Sequence, residues 1–131
     1  HPTEPYADPL GEWLESCGAL PDRIPNDVLV LPAHGLPFKG LHLRLSELIE
    51  HHRGALTRLH AACDDLRSVT DVFPALFNKE IAESQFFMAA GESLAHINYL
   101  EARGLLAGEI GDEGIALYRA TDRDFDPTGI G

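Results

Sequence analysis

The sequence predicts a mainly helical fold closed by a small β-hairpin and preceded by one helix and one short strand. Three observations predict it. After Gly40, apolar residues return every three or four positions through successive windows, the spacing of one helix face. Between Leu105 and Arg119, two short strand-like runs flank "GDEG", a tight-turn sequence. Before Gly40 lie one more amphipathic window and an apolar run, Val28–Leu31, that does not alternate.

His1 to Pro9 reads as a loop rich in proline and acid. In "PLGEWLESCGA", Leu10, Trp13, Leu14 and Cys17 keep helical spacing; Pro9 suits a first turn and Pro21 stops the helix. Val28–Leu31 reads as a strand buried on both faces, of the kind found in sheets covered by helices. The turn-rich "PAHGLPFKG" follows. A long helix is expected from Leu41 to about Leu66, with Leu45, Leu48, Ile49, His52, Leu56, Leu59 and Cys63 on its apolar stripe. A shorter helix should begin near Thr70 as N-cap, with Asp71 in its first turn and Pro74 early enough to be tolerated. A third should run from about Glu83 to Arg103, its stripe made of Phe86, Phe87, Ala90, Leu94, Ile97 and Leu100, and Gly104 ending it. Leu105–Ile110 and Ile115–Arg119 form the hairpin. The tail "DRDFDPTGIG" is expected to fray. Three helices and then a two-stranded hairpin are the outline of a winged helix.

With 131 residues, 44% hydrophobic and 24% charged, the chain has the size and composition of a compact globular domain. Ten Lys and Arg stand against 21 Asp and Glu, for a formal charge of -11. Phosphate backbones are held by clustered basic charge, so this balance disfavours nucleic acid. Cys17 and Cys63 form no CxxC and are too sparse for a disulfide scaffold, which implies reduced thiols and a cytoplasmic setting. No apolar run approaches the ~20 residues of a membrane span, and the N-terminus has no signal-peptide pattern. The chain opens without Met and is expected to be a piece of something longer.

Histidine is the residue to weigh. His34 follows an apolar strand and opens a sharp loop, where α/β sheets place ligands; imidazole suits zinc, iron and copper. Beside it, Gly35 permits unusual backbone angles. A histidine bonded to a backbone carbonyl in a turn is the plainer alternative. His51 and His52 are adjacent on a helix and point apart, and no HxxxH exists. His42 and His60 read as exposed, and His96 as lying off the main stripe. A phosphate loop and a GxSxG elbow are both absent.

"DVLVLPAHGLPFKGLHLRLSELIEHHRGAL" resembles the C-terminal segment of metallo-β-lactamase-fold hydrolases, in the subgroup with a winged-helix domain after the metal site. Leu31-Pro32-Ala33-His34-Gly35, Pro37-Phe38, Gly40-Leu41, Arg44-Leu45, Glu47-Leu48, His51-His52 and Arg53 follow the subgroup's pattern. "ALFNKE" and "AAGESLAHINYLEARGLL" are similar to its later helices. The similarity runs from about Leu10 to Tyr118. It implies that residues 1–40 are the C-terminal remnant of an αββα metallo-β-lactamase sandwich, with its last helix, strand 28–31 and metal-ligand loop 32–40. Residues 41–131 would be the winged-helix-like domain with its hairpin.

By the same resemblance His34 matches the last histidine ligand of a zinc site of one or two ions. The implied activity is hydrolysis of an ester- or thioester-type small molecule by metal-activated water. Two departures stand out. Ala33 replaces a usual glycine, and the HxHxDH motif and other ligands, which the family carries upstream, are absent. A catalytic zinc normally needs three protein ligands, so the segment alone should hold no zinc tightly and be inactive without an upstream metallo-β-lactamase domain. The rival reading is a winged-helix module for protein interaction or homodimerisation, and a third is a proteolysed or truncated chain. DNA reading is disfavoured, because Glu83, Glu92 and Glu101 oppose Arg103 on the third helix, and Glu109, Asp112 and Glu113 oppose Arg119 on the wing.

Overall fold

The computed structural model describes Glu4 and residues 6–130. Part of the expected loop His1–Pro9, namely His1–Thr3 and Pro5, lies outside the described residues, as does Gly131. Four helices come first: α1 (Pro9–Ala19), α2 (Leu41–Ala62), α3 (Phe73–Leu76) and α4 (Phe86–Ala102). Two antiparallel strands follow, β1 (Leu106–Ile110) and β2 (Ala116–Ala120), with Leu106 opposite Ala120 and Ile110 opposite Ala116. The architecture is therefore mainly helical with one hairpin. No helix among the described residues is long and apolar enough to cross a membrane.

Helix α1 keeps its expected bounds. Pro9 occupies its first turn, and the Asp8 carboxylate accepts a hydrogen bond from Gly11 N–H at 2.9 Å. The other oxygen of Asp8 meets Arg103 Nη1 at 2.7 Å, and the Arg103 guanidinium lies 3.5 Å over the Tyr99 ring. A Cβ on residue 11 would sit 2.7 Å from the Asp8 carboxyl carbon and 2.9 Å from Arg103 Nη2. Glycine is needed there so that one carboxylate can cap α1 and hold α4 at once.

Helices α1, α2 and α4 and the hairpin enclose one core. Leu10, Leu14, Leu56, Leu59, Cys63, Ile97, Leu100 and Leu106 are buried together in it. Each such large side chain contributes roughly 1.5–3 kcal/mol by leaving water. Cys17 and Cys63 are free thiols, both buried, and burial pushes the Cys63 thiol up to about 11. Strand β2 is bound on both sides. Opposite β1, Tyr118 exchanges backbone hydrogen bonds with Arg67 at 2.8 and 2.9 Å, and Ala120 N–H donates to Cys63 O at 2.8 Å.

Five expectations need correction. Val28–Leu31 forms only one bridge, between Val30 and Phe38, and Leu29 and Leu31 are 61% and 74% exposed rather than buried. Helix α2 stops at Ala62 instead of Leu66. Thr70 does not cap α3, because Ser68 N–H donates to Asp71 Oδ2 and Asp71 N–H donates to Ser68 Oγ, closing a turn ahead of the helix. Residues Glu83–Gln85 form a 3₁₀ turn before α4, whose buried face runs Ala89, Ser93, His96, Ile97, Leu100, while Phe86, Phe87 and Leu94 stay exposed. Finally, the tail does not fray. It folds into a 3₁₀ turn, Pro127–Gly129, and sinks Ile130 into the core at 3% exposure, with Arg53 Nη2 donating to Ile130 O at 2.7 Å.

Candidate functional site

His34 is exposed, in the loop that links Val30 to Phe38. The base of that loop is fixed by Val30 N–H donating to Phe38 O at 2.8 Å and Phe38 N–H donating to Val30 O at 3.1 Å. Gly35 has φ 95°, a left-handed angle that lets the chain reverse directly after His34. No described residue other than glycine has positive φ, so Ala33 sits in ordinary backbone. A doubly bonded antiparallel pair turns the flanking residues outward, so the backbone groups of Leu29 and Leu31 face away from Phe38. Among the described residues none pairs with that edge. The result is one imidazole on a braced loop, beside an open strand edge with Leu29, Leu31 and Leu36 exposed.

The loop returns into α2 through Gly40, which caps the helix with no side chain of its own. The cap comes from upstream: His42 N–H donates to Asn26 Oδ1 at 2.9 Å, and His42 Nε2 donates to Ile24 O at 2.8 Å. His42 is thus a half-buried tie, not the exposed helix residue expected. His60 is also half-buried, its ring 5.1 Å from that of Phe125.

The other histidines gather elsewhere. His52 Nδ1 lies 3.1 Å from His96 Nε2, and His96 Nδ1 lies 2.7 Å from Glu92 O. A carbonyl only accepts, so His96 carries its hydrogen on Nδ1, its Nε2 is the acceptor, and His52 Nδ1 is the donor. The Trp13 ring meets His52 edge-on at 5.1 Å, and exposed His51 lies 5.4 Å from it on the same helix. Burial, then the neighbouring His96 and His51, pull the His52 pKa down to about 4; burial also lowers that of His96. Both rings are therefore neutral at pH 7. Sequence reasoning put His96 off the stripe. The missed signal was small Ser93 and Ala89, one and two turns before it and buried with it on the same face of α4.

Among the described residues no group of three or more His, Cys, Asp or Glu is arranged to hold a metal ion. His34 and the His52–His96 pair are separate features. A third feature is an open groove of about 690 Å³ lined by Phe73, Pro74, Phe77, Ile81 and Phe86. It lies by Arg58, whose Nε donates to Ala75 O at 2.8 Å; about 25 Å of α2 separates Arg58 from Leu41 and the His34 loop.

The family model described as "Metallo-beta-lactamase-like, C-terminal domain" matches residues 56–121, half of the chain. Among solved structures, a beta-lactamase domain protein from Burkholderia ambifaria matches with a TM-score of 0.84 and 38% identity, over 89% of this chain. The chain spans 35% of the length of that structure. No curated protein matches.

Proposed function

Because this chain belongs to the metallo-beta-lactamase-like C-terminal domain family, we propose that it is the C-terminal part of a metal-dependent hydrolase acting on an ester- or thioester-type small molecule. In this reading residues 1–40 complete a metallo-β-lactamase sandwich, and residues 41–131 form a winged-helix-like domain behind it. The observation that carries it is the exposed imidazole of His34, beside the unpaired edge and exposed leucines of Val28–Leu31. That edge suits addition to a sheet of the associated domain, which would cover Leu29 and Leu31 and bring His34 to the sheet's rim.

The donor chemistry fits zinc. Imidazole is a zinc ligand, and His34 stands free to present a ring nitrogen outward. The count requires further ligands from the associated domain, since catalytic zinc takes three protein ligands. Bound zinc supplies a hydroxide at neutral pH by lowering the pKa of its water to roughly 7. This chain's part is to hold His34 on its braced loop and to wall one side of the site with Pro37, Phe38 and the start of α2. In the full-length protein, His34→Ala is expected to lose zinc and thioester turnover together, read by metal analysis and a chromogenic thioester assay. Undiminished metal and turnover would remove His34 from the site.

A second reading, a winged-helix surface for protein contact or homodimerisation, is favoured by one observation. Phe87 and Met88 are 89% and 79% exposed next to the phenylalanine-lined groove. Sedimentation of the full-length protein at micromolar concentration distinguishes it: a dimer that Phe87→Ser dissociates supports this surface, and a monomer throughout discards the homodimer.

A further inference from the structure

The loop that carries His34 is closed at two levels. The inner closure is the Val30–Phe38 pair. The outer one joins Ile24 and Asn26 to His42. Helix α2 has no local side-chain cap, because Gly40 stands at its N-cap position. An N-cap side chain ordinarily accepts from the second or third helical N–H. Here Asn26 does so from 16 residues upstream, taking the N–H of His42, the second residue of α2. The His42 ring then reaches back to Ile24 O. Two hydrogen bonds, both donated by His42, thus tie the first turn of the helix to the turn before the strand.

We propose that Asn26 and His42 are positioning residues for His34: they fix where the ligand loop leaves the helical domain, and so where its imidazole is presented. The proposal rests on the reading of His34 as a metal ligand. A cap needed only by α2 could have been supplied locally, by serine or aspartate in place of Gly40. A cap drawn from Asn26 instead ties helix α2 to the start of the strand–loop unit. The segment between them, 27–41, contains the whole of the Val30–Phe38 loop. Loss of either hydrogen bond loosens the outer closure and shifts more of the bracing of His34 onto the Val30–Phe38 pair. A ligand then has to be ordered by the metal at the moment of binding, which weakens affinity.

The test uses full-length protein and measures zinc affinity by chelator competition, with the visible spectrum of the cobalt-substituted form as a report on ligand geometry. Asn26→Ala and His42→Ala are expected to weaken zinc about tenfold, in the range of supporting-residue substitutions, and to change the cobalt spectrum. Asn26→Asp keeps an acceptor at the cap and is expected to stay within about twofold of the parent. Melting of the metal-free protein is followed in parallel. If Asn26→Ala lowers the melting temperature while zinc affinity and cobalt spectrum stay at parental values, the residue serves only the helix and the proposal is overturned. His34→Ala separates the two levels. If it weakens zinc and the Asn26 and His42 variants do not, positioning fails and the ligand reading stands. If it leaves zinc unchanged, both fail.

Discussion

Leu56→Ala is expected to destabilise this chain by about 3–5 kcal/mol. Leu56 has no exposed surface and sits in the core shared by α1, α2, α4 and the hairpin, with Leu10, Leu14, Leu59, Ile97 and Leu100 in the same cluster. Those neighbours belong to different helices pinned by their own contacts, so they can relax only in part into the space left. The loss is then the transfer free energy of the deleted groups plus the cavity term. Domains are stable by only about 5–15 kcal/mol, so the change removes a large fraction of the total. Urea unfolding of parent and variant measures it, and a fall in melting temperature of about 10–20 °C should accompany it. Leu43→Ala is the internal control, since Leu43 lies on the same helix but is 67% exposed and should change stability by less than about 0.5 kcal/mol. A loss under about 1 kcal/mol for Leu56→Ala would mean that the site collapses freely and that the core is not packed as described.

The second large effect is set by pH. His52 has its pKa lowered to about 4, by burial first and then by His96 and His51; burial lowers His96 as well, against the raising influence of Glu92. In the unfolded chain a histidine titrates near 6.5. Between about 6.5 and 4 the unfolded state therefore binds more protons than the folded one, and stability rises with pH in that window. The contribution is fully present above 6.5 and is lost as pH falls through the folded value near 4. For His52 this is roughly 1–2 kcal/mol, after allowing for solvent screening of a half-buried ring. His96 acts in the same direction. Urea midpoints at pH 7 and pH 4.5 should show the fall. His52→Gln keeps a donor toward His96 Nε2 but cannot titrate, and should flatten the slope. Equal slopes for parent and variant would move the acid sensitivity away from this pair.

Where the fold was readable from sequence, the cause was local. Proline at the start and after the end of α1 delimited it, and the "GDEG" turn delimited the hairpin to within one residue. Where the reading went astray, distant partners decided. The α4 stripe was assigned to its bulkiest residues, yet Phe86 and Phe87 stay out and the face of Ala89, Ser93 and His96 goes in, because close approach to α2 favours small side chains and a ring that can bond across to His52. The tail looked frayed because its local bonds, with Asp126 accepting from Thr128, order no more than a single turn. Its anchor is Arg53, which reaches Ile130 O across 77 residues of sequence. Thr70 is the local exception: Ser68 and Asp71, three residues apart, satisfy each other first.

The site followed the same division. The turn after His34 was readable from Gly35, whose left-handed angle the structure bears out. The exposure of Leu29 and Leu31 was not, since an apolar run reports that a strand wants covering and says nothing of which chain covers it. Nor was the role of His42, because a helix capped by Asn26 from upstream leaves no pattern within the helix itself.

The double binding of β2 bears on how this molecule behaves at high concentration. A strand with a bare side is a template for the same strand in another copy, and chains of such contacts end as aggregates. Here Tyr118 is engaged by Gly108 on one side and by Arg67 on the other, so β2, with its Leu117 and Tyr118, offers no unused ladder to a neighbour over that stretch. The hairpin's outward side falls to β1, which is five residues long and carries a glycine and a charged residue, Gly108 and Glu109, at its middle. A short, charged border of that kind recruits poorly, and in a chain of net charge -11 two such borders also repel. By holding β2 between two partners, the hairpin protects the molecule's solubility.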